Sequence, residues 1–134
     1  MKVAYITDDV YLKHDTGTMH PESPERLRAI NRAVQPLRDS LRLKSPISVS
    51  ERILELVHPP EHVEMIKNVS AYGGSIDSDT VCSVDSYDAA IMAVGAGVVA
   101  LDGIRSDEFE RAFCAVRPPG HHATPAQAMG FCLF

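Results

Sequence analysis

The sequence predicts an α/β fold in which a parallel β-sheet is flanked by helices. Short apolar runs at Val3–Ile6 and Ala112–Val116 have the composition of buried strands, and the segments between them have helical periodicity. Strands that alternate with helices along a chain are typical of parallel sheets. The length of 134 residues and the hydrophobic content of 45% suit one globular domain.

The first strand leads into a loop and then into an amphipathic helix. Residues 10–22 lack periodicity, whereas Ser23 and Pro24 suit the N-cap and the first position of a helix. Pro36 is expected to kink or stop this helix. Apolar residues at steps of three and four predict one buried stripe, formed by Leu27, Ile30, Val34, Leu37 and Leu41.

Two short helices and a loop are predicted next. Ser50 opens the second helix, and Pro59-Pro60 opens the third. Glycine and polar residues then predict a loop over residues 72–85.

The fourth helix differs from the others because it is nearly free of charge. Ser86 is predicted to cap it, and no charged residue stands between Asp88 and Asp102. This stretch is too short to cross a bilayer, so it predicts a buried core helix and no membrane association. Gly95 and Gly97 would allow the helix to pack closely against the sheet.

Charge and cysteine content narrow the class of protein. A net charge of -5 argues against a general nucleic-acid-binding protein but is compatible with an amine substrate. The cysteines are odd in number and form no Cys-x-x-Cys pair, which predicts reduced thiols. The first residues run straight into Asp8-Asp9, which is not the pattern of a signal peptide. A cytoplasmic protein is expected.

His121 and His122 directly follow the last predicted strand, at its carboxyl end. Ligand sites of open α/β sheets lie at this edge. Pro118-Pro119 stiffens the loop, and Gly120 lets its backbone approach a neighbour closely. Histidine titrates near neutral pH, so an adjacent pair suits proton transfer from water and to a leaving group. The alternative is a solvated pair in a turn, which the dipeptide alone favours and its surroundings disfavour.

The other four histidines offer no metal-ligand pattern. His58 and His62 stand four residues apart, but two prolines separate them, so they are not expected to share a helical face. His14 and His20 have no companion, and His20 is expected to orient its loop through Glu22. Structural roles are predicted for all four.

Several segments resemble the histone deacetylase superfamily, in its class II, acetylpolyamine amidohydrolase and acetoin-utilisation branch. Residues 117–123 (Arg-Pro-Pro-Gly-His-His-Ala) and 129–134 (Met-Gly-Phe-Cys-Leu-Phe) look like its active-site signature. Residues 20–27 (His-Pro-Glu-Ser-Pro-Glu-Arg-Leu) resemble its amino-terminal segment. Further similar landmarks occur in the same order at residues 56–58, 77–80 and 86–90.

The resemblance implies an arginase/deacetylase-like parallel sheet, of which residues 1–134 are the amino-terminal portion of a single domain. It also implies a zinc-dependent amide hydrolase that removes acetyl groups from acetyl-lysine or acetylated polyamines. His121 and His122 match the catalytic histidines, with the division of general base and acid between them left open. Gly130 and Phe131 match residues that line the substrate tunnel.

A rim carboxylate that grips the substrate is matched by Asp79, with Asp77 in second place. The family's zinc ligands, the acidic partners of its histidines and its oxyanion-stabilising tyrosine all correspond to positions beyond Phe134. No metal ligands are therefore expected in this chain, which would be inactive in isolation, and the apolar residues 129–134 are interpreted as the lead into a further buried element.

Two alternatives stay open. The chain could be a truncated, non-catalytic paralogue or a split-domain binding module. A Cys-His hydrolase that uses Cys132 or Cys114 is less favoured, because both thiols lie in apolar runs. The identity of the acyl substrate and the oligomeric state, including a homo-oligomer, also stay open.

Overall fold

Three short strands form a parallel sheet in the order β2-β1-β5 in the computed structural model, which describes residues 1–134. The central strand β1 (Val3–Ile6) pairs in parallel with β2 (Arg42–Lys44) and with β5 (Arg111–Cys114). The predicted α/β class is confirmed. Strand β2 was not predicted, because its Arg-Leu-Lys sequence holds a single apolar residue.

The chain also forms four α-helices. They are α1 (Pro24–Val34), α2 (Glu51–Leu54), α3 (Pro60–Tyr72) and α4 (Ser86–Arg105), with 3₁₀ helices at Asp9–Leu12 and Gln35–Ser40.

The first helix is shorter than its apolar stripe suggested. After Val34 the chain continues as a 3₁₀ helix that contains Pro36, so the α-helix stops rather than kinks. Within the predicted stripe only Leu27 is buried, and Leu37 is largely exposed. Val34 and Leu41 are partly buried against the same cluster as Leu27, so among the residues after Val34 it is Leu37, inside the 3₁₀ segment, that leaves the core.

A hairpin occupies residues 74–82 of the predicted loop. Strands β3 (Gly74–Ser75) and β4 (Val81–Cys82) pair in antiparallel fashion. The Asp77 side chain closes the turn, because its Oδ1 accepts hydrogen bonds from the backbone N–H groups of Asp79 and Thr80 at 3.0 and 2.8 Å. Strands of two residues are too short to leave a periodic pattern.

Alternating side chains of β1 face different helices. Ala4 and Ile6 are fully buried against α4 and Phe109, whereas Tyr5 points to the opposite face and packs near Leu27 of α1. Helices therefore cover both faces of the sheet, as expected for strands of this composition.

Helix α4 is long and apolar enough to cross a bilayer by composition, a property that core helices of soluble proteins share. Its small residues pack on the sheet, while Leu101 and Ile104 are exposed, so the predicted core helix is buried on one side. Neither glycine packs against the sheet as predicted: Gly95 meets the Ile47 backbone, which is not part of a strand, and nothing lies within 4 Å of a Cβ added at Gly97.

The predicted cap of α4 is also displaced by one residue. Asp85 is the N-cap, and Ser86 is the first helical residue. The Ser86 hydroxyl accepts a hydrogen bond from the Ser83 backbone N–H at 2.7 Å and is therefore engaged with the preceding turn.

Candidate active site

The chain leaves the sheet just beyond β5 and carries the histidine pair to the carboxyl edge, as predicted. The Ala115 N–H donates to the Ile6 carbonyl at 2.9 Å, and the Thr7 hydroxyl donates to the Ala115 carbonyl at 2.9 Å. The rings of His121 and His122 then lie with their centroids 4.4 Å apart, and both residues are exposed.

One cavity of about 350 Å³ joins the two segments that the sequence singled out. His121 and His122 line one part of it, and Gly130 and Phe131 line another. The structure thus brings together four of the five predicted site residues around one space. The remaining lining residues are Glu22, Arg26, Leu27, Ile30, Val116, Arg117 and Pro119.

Gly130 lies directly against the His122 side chain. A Cβ added at Gly130 would stand 2.9 Å from the Cβ, Cγ and Cδ2 atoms of His122, and the glycine φ of 57° is in the left-handed region. The Cys132 Sγ also accepts a hydrogen bond from the His122 backbone N–H at 3.3 Å. Residue 130 therefore contacts the ring of His122, and residue 132 binds its backbone.

Phe131 holds a strained backbone between these two contacts. Its φ of 72° is unusual for a residue with a side chain. Its N–H donates to the Thr80 hydroxyl at 3.2 Å, and its ring packs against the edge of His20 at a centroid distance of 4.9 Å. Outliers of this kind are concentrated at functional sites, where surrounding contacts maintain them.

The fifth predicted site residue, Asp79, lies on the β3–β4 turn rather than in the cavity wall. His20 Nε2 donates to the Asp79 carbonyl at 2.8 Å, and the Thr80 hydroxyl donates to the Asp79 carboxylate at 3.2 Å. Asp79 is thereby tied to the neighbours of Phe131. The backbone N–H of Asp79 is the first of the hydrogen bonds that lower the pKa of Asp77, whose carboxylate closes the turn.

His20 orients its loop through Glu22, as predicted. Its Nδ1 lies 3.1 Å from both the backbone N and the carbonyl O of Glu22. Because the same ring also contacts Asp79 and Phe131, His20 connects three segments around the cavity mouth.

Sequence analysis missed a buried ion pair behind the histidine loop. Arg117 donates from Nε and Nη2 to the two carboxylate oxygens of Glu22 at 2.6 and 2.7 Å. Both side chains are buried, with 3% and 2% exposed, and Arg117 Nη1 also donates to the Tyr11 carbonyl at 2.7 Å. Both residues belong to the segments that resemble known motifs, but nothing in the sequence pairs them with each other.

His14 completes this buried group. Its Nε2 lies 3.6 Å from the Glu22 carboxylate, and its Nδ1 lies 2.6 Å from the Ser86 hydroxyl. Burial, followed by the charge of Arg117, lowers the pKa of His14 to about 4. The Glu22 carboxylate opposes this shift without reversing it. His14 is therefore neutral at pH 7.

His58 and His62 do not share a helical face, as predicted, but their rings come together all the same. Their rings stack with centroids 4.7 Å apart and an interplanar angle of 18°. Proline suits the first position of a helix, and Pro60 occupies that position in α3. His58 precedes the helix and folds back onto its first turn.

No three His, Cys, Asp or Glu side chains in residues 1–134 come together in a way that could hold a metal ion. The cysteines are not arranged as nucleophiles either. Cys132 is fully buried and contacts the backbone of His122 rather than its imidazole. Burial raises the pKa of the Cys114 thiol, which disfavours the reactive thiolate.

The segments that form this site lie within the region of the chain that is similar to known proteins. The histone deacetylase domain profile matches residues 20–134. The histone deacetylase-like amidohydrolase of Pseudomonas aeruginosa is 40% identical over 118 residues, which cover 86% of this chain and 31% of that protein. The polyamine deacetylase HDAC10 of Homo sapiens is 35% identical over 84% of this chain and 18% of that protein.

A solved structure, that of the HDA15 HD domain, superposes with a TM-score of 0.91 at 31% sequence identity. The alignment covers 99% of this chain and 40% of that one. The chain therefore spans less than half the length of each of these proteins.

Proposed function

The chain belongs to the histone deacetylase family, and from that membership we propose that its histidine loop serves a deacetylase acting on acetyl-lysine or acetylated polyamines. The family's members include deacetylases and amidohydrolases, and one relative is named a polyamine deacetylase. The observation that carries the proposal is the shared cavity of His121, His122, Gly130 and Phe131.

Proton transfer is the chemistry assigned to the histidine pair. The His122 ring packs against Gly130 and lines the cavity, and its backbone N–H donates to the Cys132 Sγ. An imidazole in this position takes a proton from the attacking water and returns one to the departing amine. His121, whose ring lies 4.4 Å away, shares these roles or stabilises the developing charge.

Substrate binding is assigned to Phe131 and Asp79. An aromatic ring in the cavity wall can pack along the methylene chain of a lysine or polyamine. The exposed Asp79 carboxylate, one residue from the Thr80 contact of Phe131, can attract an amine or accept a hydrogen bond from a peptide backbone at the rim.

Zinc is the proposed cofactor, in line with the family resemblance, and it would supply a Lewis acid for amide hydrolysis. The described residues do not fit a zinc site, because no cluster of three ligands forms among them. The ligands would have to come from outside residues 1–134. Within these residues, the proposed contributions are proton transfer and substrate contacts.

The test is steady-state kinetics of the full-length gene product on an acetyl-lysine peptide and on an acetylated polyamine. Replacing His122 by Ala is expected to lower kcat roughly 10²–10⁴-fold, because no neighbour except His121 could take over its proton transfers. Near-normal turnover of that variant on both substrates would show that the loop is not catalytic. A wild-type protein without activity would favour a non-catalytic binding module.

A further inference from the structure

Two histidines outside the cavity contact both ends of the segment 125–133. His58 Nδ1 lies 2.9 Å from the Pro125 carbonyl oxygen, and His62 Nε2 lies 2.8 Å from the Leu133 carbonyl oxygen. A carbonyl oxygen only accepts hydrogen bonds, so each imidazole must donate here. The two contacts therefore place N–H groups on Nδ1 of His58 and on Nε2 of His62.

The imidazole of His62 is not explained by packing alone. Its side chain is 3% exposed, and its Nδ1 atom has no hydrogen-bond partner. An unpaired buried acceptor destabilises a fold, and an apolar ring of similar size would avoid that cost. An apolar ring, however, could not donate a hydrogen bond to the buried Leu133 carbonyl.

Burial, as the largest cause, lowers the pKa of His62, and the adjacent His58 lowers it further. The hydrogen bond that the ring donates to the Leu133 carbonyl opposes the shift without reversing it. The neutral form, with its single N–H on Nε2, is therefore favoured near neutral pH.

The two imidazoles and Phe134 form one aromatic cluster. The rings of His58 and His62 are stacked 4.7 Å apart, and the Phe134 ring lies 5.5 and 5.8 Å from them. A stacked pair restrains both rings together, so the two hydrogen bonds to the segment share one rigid support at the start of α3.

Residues 129–132 of the segment form a turn that contacts His122. The backbone groups of Met129 and Cys132 bond each other at 3.1 and 3.0 Å and close a tight turn. Gly130 and Phe131 occupy the top of this turn, with Gly130 against the His122 ring. If either end of the segment were displaced, the turn that contacts His122 would therefore move as well.

We propose that His58 and His62 are positioning residues that hold segment 125–133 in register with His122. The inference rests on the proposed function, because positioning matters only if His122 acts on a substrate. Neither histidine lines the cavity, and both act through the segment that they hold.

The test compares matched replacements at each histidine by residue-resolved amide hydrogen exchange on the whole chain. His62→Phe keeps an aromatic ring but removes the donor, whereas His62→Gln places an amide N–H near the position of Nε2. The Cys132 amide, which bonds the Met129 carbonyl, should exchange roughly three- to tenfold faster in the Phe variant and near the wild-type rate in the Gln variant.

His58→Phe and His58→Asn repeat the comparison at Pro125, since the Asn amide mimics Nδ1, and they carry the test if His62→Phe does not fold. Ser70→Ala is the control: it removes a buried hydroxyl without a partner from the same helix and should leave Cys132 exchange unchanged. Unchanged exchange in the Phe variants, or equal acceleration in the amide and Phe variants, would overturn the proposal.

Kinetics separate this proposal from the proposed function. In an active full-length protein, His62→Phe should lower kcat/KM about tenfold and His62→Gln should restore most of it. If amide exchange depended on the donor at residue 62 but the wild-type protein had no deacetylase activity, the proposed function would be contradicted. The positioning of the segment would still be supported. Activity with no change in either variant would contradict the positioning role alone.

Discussion

Arg117 and Glu22 form a buried, bidentate ion pair although they are 95 positions apart in the sequence. Arg117 immediately precedes the Pro-Pro-Gly-His-His loop, and Glu22 precedes Ser23, the N-cap of helix α1. The pair therefore fixes the root of the candidate catalytic loop to the amino-terminal part of the fold. Its planar, bidentate geometry restrains direction as well as distance.

Replacing Glu22 by Gln should destabilise the protein strongly. The change leaves the Arg117 guanidinium buried without a counter-charge, which typically costs about 3–5 kcal/mol of the free energy of unfolding. Urea denaturation measures the loss. Glu25→Gln is the matched control, because its ion pair with Arg28 is exposed and should contribute little. Equal stability of the two variants would contradict the importance of the buried pair.

Acidification should destabilise the fold through His14. Its pKa falls from 6.5 to about 4 on folding, so the unfolded chain binds more protons between these values. The stabilising contribution is complete above pH 6.5 and is lost as the pH falls toward 4, a change of roughly 3 kcal/mol. The free energy of unfolding, measured with denaturant at several pH values, should change less steeply with pH in His14→Gln than in the wild type. Parallel profiles would argue against a buried neutral His14.

Gly130→Ala should displace His122. The left-handed backbone alone costs alanine about 1–2 kcal/mol, and the added Cβ would stand 2.9 Å from the His122 ring. Lower stability and a shifted His122 ring resonance in NMR spectra are expected. Gly97→Ala is the control: nothing lies within 4 Å of its added Cβ, so helix propensity should raise stability by about 0.5–1 kcal/mol. An unperturbed His122 resonance in Gly130→Ala would disprove the close contact.

Phe131→Ala should affect substrate binding more than turnover. Loss of the ring removes an apolar wall of the cavity and leaves His122 in place, so a raised KM with a modest change in kcat is expected in the full-length protein. The comparison with His122→Ala, which should lower kcat, is made with both acetylated substrates. A fall in kcat as large as that of the histidine variant would assign Phe131 a different role.

Local signals made much of the fold predictable from the sequence. The prolines at 24 and 60 mark the starts of α1 and α3, and apolar runs mark β1 and β5, because each signal lies within the element that it specifies. Strand β2 has no such signal: it is recognised only through its pairing with β1.

Part of the candidate site could also be predicted from the sequence, and part of it could not. The adjacency of His121 and His122 is covalent and visible in the sequence, and their position after a strand follows from the topology. The meeting of Glu22 with Arg117, and of His62 with Leu133, depends on tertiary packing over long sequence separations. Residue type alone gives no partner for a buried charge or an imidazole, so these contacts required the structure.

The parallel pairing of β1 with β5 also constrains the order of folding. Val3 pairs with Arg111, and Thr7 reaches Ala115 across 108 positions. During synthesis, β1 leaves the ribosome long before its partner exists, whereas α3 and the β3–β4 hairpin can form from nearby residues. Val3–Ile6 therefore remains an apolar segment without β5 beside it until residues 111–114 have been synthesised and can pair with it.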